Sequence, residues 1–295
     1  MNFGFALAEI TSPVSYFDDQ NGLEGAVIDA REVNGRLYAA TSMGLYQKSG
    51  TEFMANEEIS TFTWDLKTYS DPQNPEVRAL LAANDFGLYM VNGDETTRLS
   101  PNHSMSVFHS AVLPERIYAG TPLGLYYVDL SGDEAIESDE FLRFENPVRQ
   151  ILEDEEGGLW IATQSDGLRY VLPDFNEENV KSYRDENGFD VLSNATLHWI
   201  EGELFVSTVD HFYQYDRVAD TFTEWNSPEL DSNELEGIYR FYHKDGTLWT
   251  GASSRRENIT EYRNLFSESA EKITAPFLPI PSTVTLFIDE IFDDL

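Results

Sequence analysis

A ten-residue phrase recurs along this chain, and its spacing limits the folds open to it. Leu37-Tyr-Ala-Ala-Thr-Ser-Met-Gly-Leu-Tyr46 returns as Leu80-Leu-Ala-Ala-Asn-Asp-Phe-Gly-Leu-Tyr89 and as Ile117-Tyr-Ala-Gly-Thr-Pro-Leu-Gly-Leu-Tyr126. A fourth copy, Leu159-Trp-Ile-Ala-Thr-Gln-Ser-Asp-Gly-Leu168, has one extra residue in its turn. The shared glycines Gly44, Gly87, Gly124 and Gly167 are separated by 43, 37 and 43 residues. Each phrase reads as two short strands joined by a glycine turn, since glycine accepts positive φ without a Cβ clash. Short strands repeating at this period predict an all-β fold, a β-propeller of four-stranded antiparallel blades.

The other strands of each blade are expected on either side of the phrase. Val27–Val33, Thr61–Lys67, Ser106–Val112, Val148–Glu153, Thr196–Ile200 and Ile238–His243 precede it. Phe141–Glu145, Val180–Arg184 and Thr221–Trp225 follow it. Later copies drift to Leu204-Phe-Val-Ser-Thr208 and Leu248-Trp-Thr-Gly251. Six phrases are visible, and Thr283–Asp289 reads as the first strand of a seventh blade. Pro13–Leu23 resembles Val180–Phe189, the outer strand and exit turn of a blade. We therefore expect seven blades, the last incomplete or closed by the N-terminal strand; six blades plus a tail is the alternative. The whole chain, 1–295, reads as one propeller domain, a unit that also fits within a longer multidomain protein.

Composition narrows the partners. Fifty-three acidic residues against 19 basic give a net charge of −34. Nucleic acid is excluded as a partner because phosphate binding needs clustered Lys and Arg. The same charge disfavours an anionic membrane surface, and no apolar run approaches transmembrane length. The absence of cysteine removes disulfides, thiolate zinc sites and cysteine nucleophiles. No Asp-x-Asp-x-Asp-Gly loop and no His-x-x-x-His pair occurs among His103, His109, His198, His211 and His243, so no metal site is expected. Gly-x-Ser-x-Gly, Ser-x-x-Lys and phosphate-loop motifs are also missing, and no cofactor is expected.

Side chains on the innermost strands are the ones a propeller presents to its central channel. Arg31, Arg149 and Arg240 could line the channel mouth and bind a carboxylate. His198 and Trp199 are the further candidates there. Each also has a plainer account, as a strand-end residue paired locally or as part of the core. Phe62, Trp64, Phe108, Trp199, Tyr239 and Phe241 offer an aromatic platform for a sugar face, though packing between blades explains such residues better.

Val148-Arg-Gln-Ile-Leu-Glu-Asp-Glu-Glu-Gly-Gly-Leu-Trp-Ile-Ala-Thr-Gln-Ser-Asp-Gly-Leu-Arg-Tyr170 resembles the two-component regulator propeller repeat, as does the following Tyr183-Arg-Asp-Glu-Asn-Gly188. Tyr242–Gly251 is a second, partial match. In that family propellers form the periplasmic sensor region of bacterial hybrid histidine kinases and related receptors, and many recognise carbohydrate. The resemblance implies a non-enzymatic sensor or ligand-recognition propeller of a bacterial signalling system, periplasmic or extracellular, although no signal peptide is visible. Its partner would be a carbohydrate, another small-molecule ligand or a protein. The resemblance also implies that the motif residues are structural, the Trp packing between blades and the Asp-Gly pair turning. The alternatives are a propeller-type glycoside hydrolase or lyase, which would need convergent carboxylates or an Arg cluster, and a protein-interaction scaffold.

Overall fold

The computed structural model describes residues 17–131, 134–138, 141–184, 195–200, 202–208, 211–225, 238–244, 247–252, 258–263 and 271–276, the last four as backbone strands. These residues form six antiparallel sheets in chain order. The first blade is β1 (Val27–Val33), β2 (Arg36–Thr41), β3 (Gly44–Ser49) and β4 (Glu52–Ala55). The second is β5 (Thr63–Ser70), β6 (Arg78–Asn84), β7 (Gly87–Asn92) and β8 (Glu95–Ser100). The third is β9 (Ser106–His109), β10 (Arg116–Thr121), β11 (Gly124–Ser131), β12 (Glu134–Glu137) and the short β13 (Leu142–Arg143). β14 (Val148–Glu153), β15 (Leu159–Thr163), β16 (Leu168–Val171) and β17 (Lys181–Tyr183) make the fourth. β18 (Thr196–Ile200), β19 (Glu203–Ser207), β20 (Phe212–Asp216) and β21 (Thr221–Glu224) make the fifth. β22 (Ile238–Lys244), β23 (Thr247–Ala252), β24 (Asn258–Arg263) and β25 (Glu271–Pro276) make the sixth.

The sheets are arranged as propeller blades. The first strand of each blade neighbours the first strand of the next, β1 to β5 to β9 to β14 to β18 to β22. Strand order within a blade then runs outward. Four apolar clusters lie between successive blades, which is how a radial wedge buries both of its faces. Leu81, Ala83 and Leu88 of the second blade pack on Val107, Ile117, Ala119 and Tyr126 of the third. Trp160 of the fourth packs on Tyr215 and Phe222 of the fifth, with ring centroids 4.7 and 5.9 Å apart. The expected inter-blade tryptophan is therefore in place. Pro13–Tyr16 and Thr283–Asp289, invoked above for a seventh blade, lie outside the described residues.

The recurring phrase is explained by its turn. Thr41 Oγ1 donates to the Gly44 carbonyl (3.1 Å) and accepts from Met43 N–H (3.0 Å). Thr121 and Thr163 do the same, and Asn84 accepts from Phe86 N–H. These side chains hold the turn against strand fraying. The glycine is fixed by more than its φ. At Gly124, with φ +152°, a Cβ would stand 1.9 Å from the Leu142 carbonyl oxygen of the neighbouring strand. Asp154 shapes the preceding turn of the fourth blade: Oδ1 accepts from Glu156 and Gly158 N–H, and Oδ2 from Tyr170 OH (2.7 Å).

Two innermost strands differ from expectation by more than one residue, and the expected outer strand Phe141–Glu145 shortens to Leu142–Arg143. Thr61–Lys67 is displaced to Thr63–Ser70 because Asn84 Nδ2 donates to the carbonyls of Thr61 and Phe62 and draws them out of the ladder. Ser106–Val112 stops at His109 because Glu153 draws the next segment into a turn. Its carboxylate accepts from Ser110 Oγ and from Ala111 and Val112 N–H.

Candidate functional site: the axial mouth

Four innermost strands open with the same irregularity. Val27 pairs with Thr41 and Asp29 with Ala40, so Ile28 is an extra residue against its partner strand. Trp64, Arg149 and Tyr239 are extra in the same way in β5, β14 and β22. A β-bulge re-aims its extra side chain and is common at the rims of barrels. These bulges occupy the first residues of the innermost strands, at one end of the axis. The turns carrying Asp85-Phe86 and Gln164–Asp166 are at that end too, since Asp85 N–H donates to the Phe62 carbonyl and Gln164 N–H to that of Pro147.

The residue after each of the first three bulges fastens its blade to a neighbour. Asp29 Oδ2 accepts from Leu66 N–H, and Asp65 Oδ2 from Val107 N–H, each at 2.9 Å. Gln150 makes a two-point contact with Leu197, accepting from its N–H (2.7 Å) and donating to its carbonyl (2.9 Å). In the third blade Ser106 occupies the matching register and donates to the Val148 carbonyl (3.1 Å). Charged and amide groups here are structural, and each uses an innermost backbone group that has no ladder partner on that side.

A polar and aromatic group surrounds the second bulge. Trp64 stacks on Phe62 with ring centroids 4.0 Å apart, and the Arg149 guanidinium lies 5.0 Å from the Trp64 ring centroid. Trp64 Nε1 donates to Asp85 Oδ1 (2.7 Å), and His103 Nε2 lies 3.3 Å from the same oxygen. The His103 and Trp64 rings stack at 6.4 Å. Phe86, beside Asp85 on its turn, is 60% exposed.

Of the four residues singled out from the sequence whose side chains are described, Arg149 alone joins this group. Arg31 is 2% exposed on β1, opposite Tyr38. His198 accepts from or donates to Ser207 Oγ through Nε2 (2.8 Å), and burial pushes its pKa down to about 3, so it is neutral. Trp199 packs between the fourth and fifth blades and donates from Nε1 to the Glu153 carbonyl (3.1 Å). Arg240 follows the sixth-blade bulge in register with Gly251, the position that Asp29, Asp65 and Gln150 use for fastening. Asp85 and His103 were missed. A recurring triplet gives the bulges away: Val27-Ile-Asp29, Thr63-Trp-Asp65, Val148-Arg-Gln150 and Ile238-Tyr-Arg240 each set a large residue between a β-branched and a polar one. Among the described residues no group of three or more His, Asp or Glu could hold a metal ion.

Fold and mouth together define the class: a β-propeller with its inter-blade fastenings around the axis and one bulge-built aromatic and cationic group at the axial end. The two component regulator propeller model matches residues 143–165, which span the first two strands of the fourth blade. Among solved structures, the chain is similar to the extracellular domain assigned to hybrid two component system BT3049 from B. thetaiotaomicron, with TM-score 0.63 and 17% identity over 86% of this chain and 34% of that one. It is similar to the extracellular domain assigned to one component system BT4673 from the same organism, with TM-score 0.55 and 17% identity over 77% of this chain and 31% of that one. The chain thus spans about a third of those extracellular domains. Virginiamycin B lyase from Staphylococcus aureus has a similar fold, with TM-score 0.59 and 8% identity over 85% and 84% of the two chains. No curated protein matches this sequence.

Proposed function

We propose that this chain is a non-enzymatic recognition propeller of a bacterial sensor, that it works outside the cytoplasm, and that it takes a small ligand of the oligosaccharide class at the axial mouth. The observation that carries this reading is the group formed by Phe62, Trp64, Asp85, His103 and Arg149. It combines stacked aromatic rings, which suit the apolar face of a sugar, with hydrogen-bonding groups suited to its hydroxyls. The two component regulator propeller repeat and the likeness to two extracellular sensor domains support it. At that level of identity the likeness carries the fold, so ligand, compartment and output rest on the proposal. The single-domain organisation of 1–295 belongs to the same proposal.

Isothermal titration of the chain against a panel of neutral and acidic oligosaccharides, read together with tryptophan fluorescence, tests it. The expected result is binding of at least one member with a fluorescence change that is lost in Trp64→Phe. Turnover of a panel member, or binding that leaves the Trp64 signal unchanged, overturns it.

A further inference from the structure

The bulge of β14 carries Arg149 to the axial end, where its guanidinium lies 5.0 Å from the Trp64 ring centroid. Arg149 is exposed, and among the described residues no hydrogen bond or salt bridge engages it. Other arginines are committed. Arg36 pairs with Asp94, Arg116 grips Asp129 with two bonds of 2.8 Å, and Arg169 and Arg184 share Asp166. The acids around Arg149 are committed as well. Asp65, whose charge acts on it, gives one oxygen to Val107 N–H and the other to Lys67 Nζ. Asp85 accepts from the Trp64 indole. The guanidinium therefore has a fixed stacking partner and uncommitted donors.

A guanidinium with free donors selects a planar carboxylate, to which it donates two parallel bonds. The adjoining rings of Phe62 and Trp64 select an apolar face beside that carboxylate. A sugar acid joins both features in one ring. A polyphosphate needs several cations, and this group offers one. The net charge of −34 opposes any anion at long range, yet that field is screened beyond about 10 Å at 0.1 M salt, whereas a direct contact is not. We propose that the mouth binds an acidic oligosaccharide, a uronate carboxylate pairing with Arg149 and a pyranose face lying against the Phe62–Trp64 aromatic pair. This rests on the recognition proposal above and narrows its ligand class.

The test compares oligogalacturonates of three to five residues with the same oligomers as full methyl esters, using the whole chain in isothermal titration. The expected result is binding of the free acids at least about tenfold tighter than the esters, in line with a charge-assisted pair. Arg149→Gln is expected to weaken the acids by about tenfold or more and the esters by several-fold less, and Arg149→Lys to recover part of the loss. Arg116→Gln serves as the control, because it removes an arginine already paired with Asp129. Thermal melts of each variant confirm that the fold is kept. Equal binding of acids and esters, or acid binding indifferent to Arg149→Gln, overturns the acidic-ligand inference and leaves oligosaccharide recognition standing. Failure of both acids and esters to bind overturns the acidic-ligand inference. If the neutral panel also fails, the recognition proposal falls with it.

Discussion

Asp29 of the first blade accepts the backbone N–H of Leu66 in the second at 2.9 Å, and both residues are buried. The innermost strand of a blade has a ladder partner on its outer side only. Its inward N–H groups would be stranded if the neighbouring blade supplied no acceptor. Asp29 supplies one, and its other oxygen is held by Ala30 N–H (2.9 Å). Asp29→Ala should therefore destabilise the chain by about 1–3 kcal/mol, the cost of an unsatisfied buried donor. Asp29→Asn keeps an acceptor and should cost less than half of that. Urea unfolding followed by tryptophan fluorescence measures both, and equal losses would rule out the hydrogen-bond account.

The phrase glycines give a sharper contrast. Gly124 has φ +152° and the Leu142 carbonyl oxygen 1.9 Å from the position of a Cβ, so Gly124→Ala must push two backbone strands apart. Gly35 has φ +70° with nothing within 4 Å, so Gly35→Ala meets only the backbone preference. The expected costs are about 1 kcal/mol for Gly35→Ala and at least about 3 kcal/mol for Gly124→Ala. Parallel melts of the two variants check this, and similar melting temperatures would show that the third blade yields there.

The repeat was legible because its signals are local. Thr41, Thr121 and Thr163 hold the turn of their own phrase, and Gly44 and Gly124 stand at fixed offsets from them. Trp160 was legible as a packing residue through the resemblance of its blade to the two-component regulator propeller repeat. The hairpin strand Glu134–Glu137 was not expected, since its pairing with β11 uses no distinctive residues. The axial mouth was legible only in part. Arg149 and Trp64 stood out by type, but their meeting depends on two bulges, which the sequence marks only by the weak β-branched–large–polar triplet. Arg31 and His198 look like channel residues by sequence position, yet burial makes the first a packed side chain and the second a neutral ring.

Glu153 ties three blades together. Its carboxylate, in a residue only 9% exposed, takes Ser110 Oγ and the N–H groups of Ala111 and Val112 from the third blade, while its carbonyl takes Trp199 Nε1 from the fifth. Glu153→Ala strands the two N–H groups and the hydroxyl, so a loss of about 2–4 kcal/mol is expected. Glu153→Gln keeps one acceptor oxygen and should retain at least half of the stability. Hydrogen exchange locates the effect. Protection should fall at Ala111 and Val112 before it falls at Leu81 or Ala83, and a uniform fall along the chain would contradict the proposed role.

His198 makes the fold sensitive to acid with a predictable sign. Burial disfavours the imidazolium and lowers the folded pKa from 6.5 to about 3. The unfolded chain therefore binds a proton between those values that the folded chain refuses. Stability from this group is full above pH 6.5 and is lost as pH falls toward 3. Between pH 7 and pH 5 the expected loss is about 2 kcal/mol. Carboxylates also titrate as pH falls, so the His198 share must be isolated. His198→Asn keeps a polar contact for Ser207 and removes the titrating ring. The difference between the chain and this variant, measured by urea unfolding at both pH values, should be about 2 kcal/mol smaller at pH 5 than at pH 7. A difference that does not change with pH would mean that His198 titrates as freely in the folded chain as in the unfolded one.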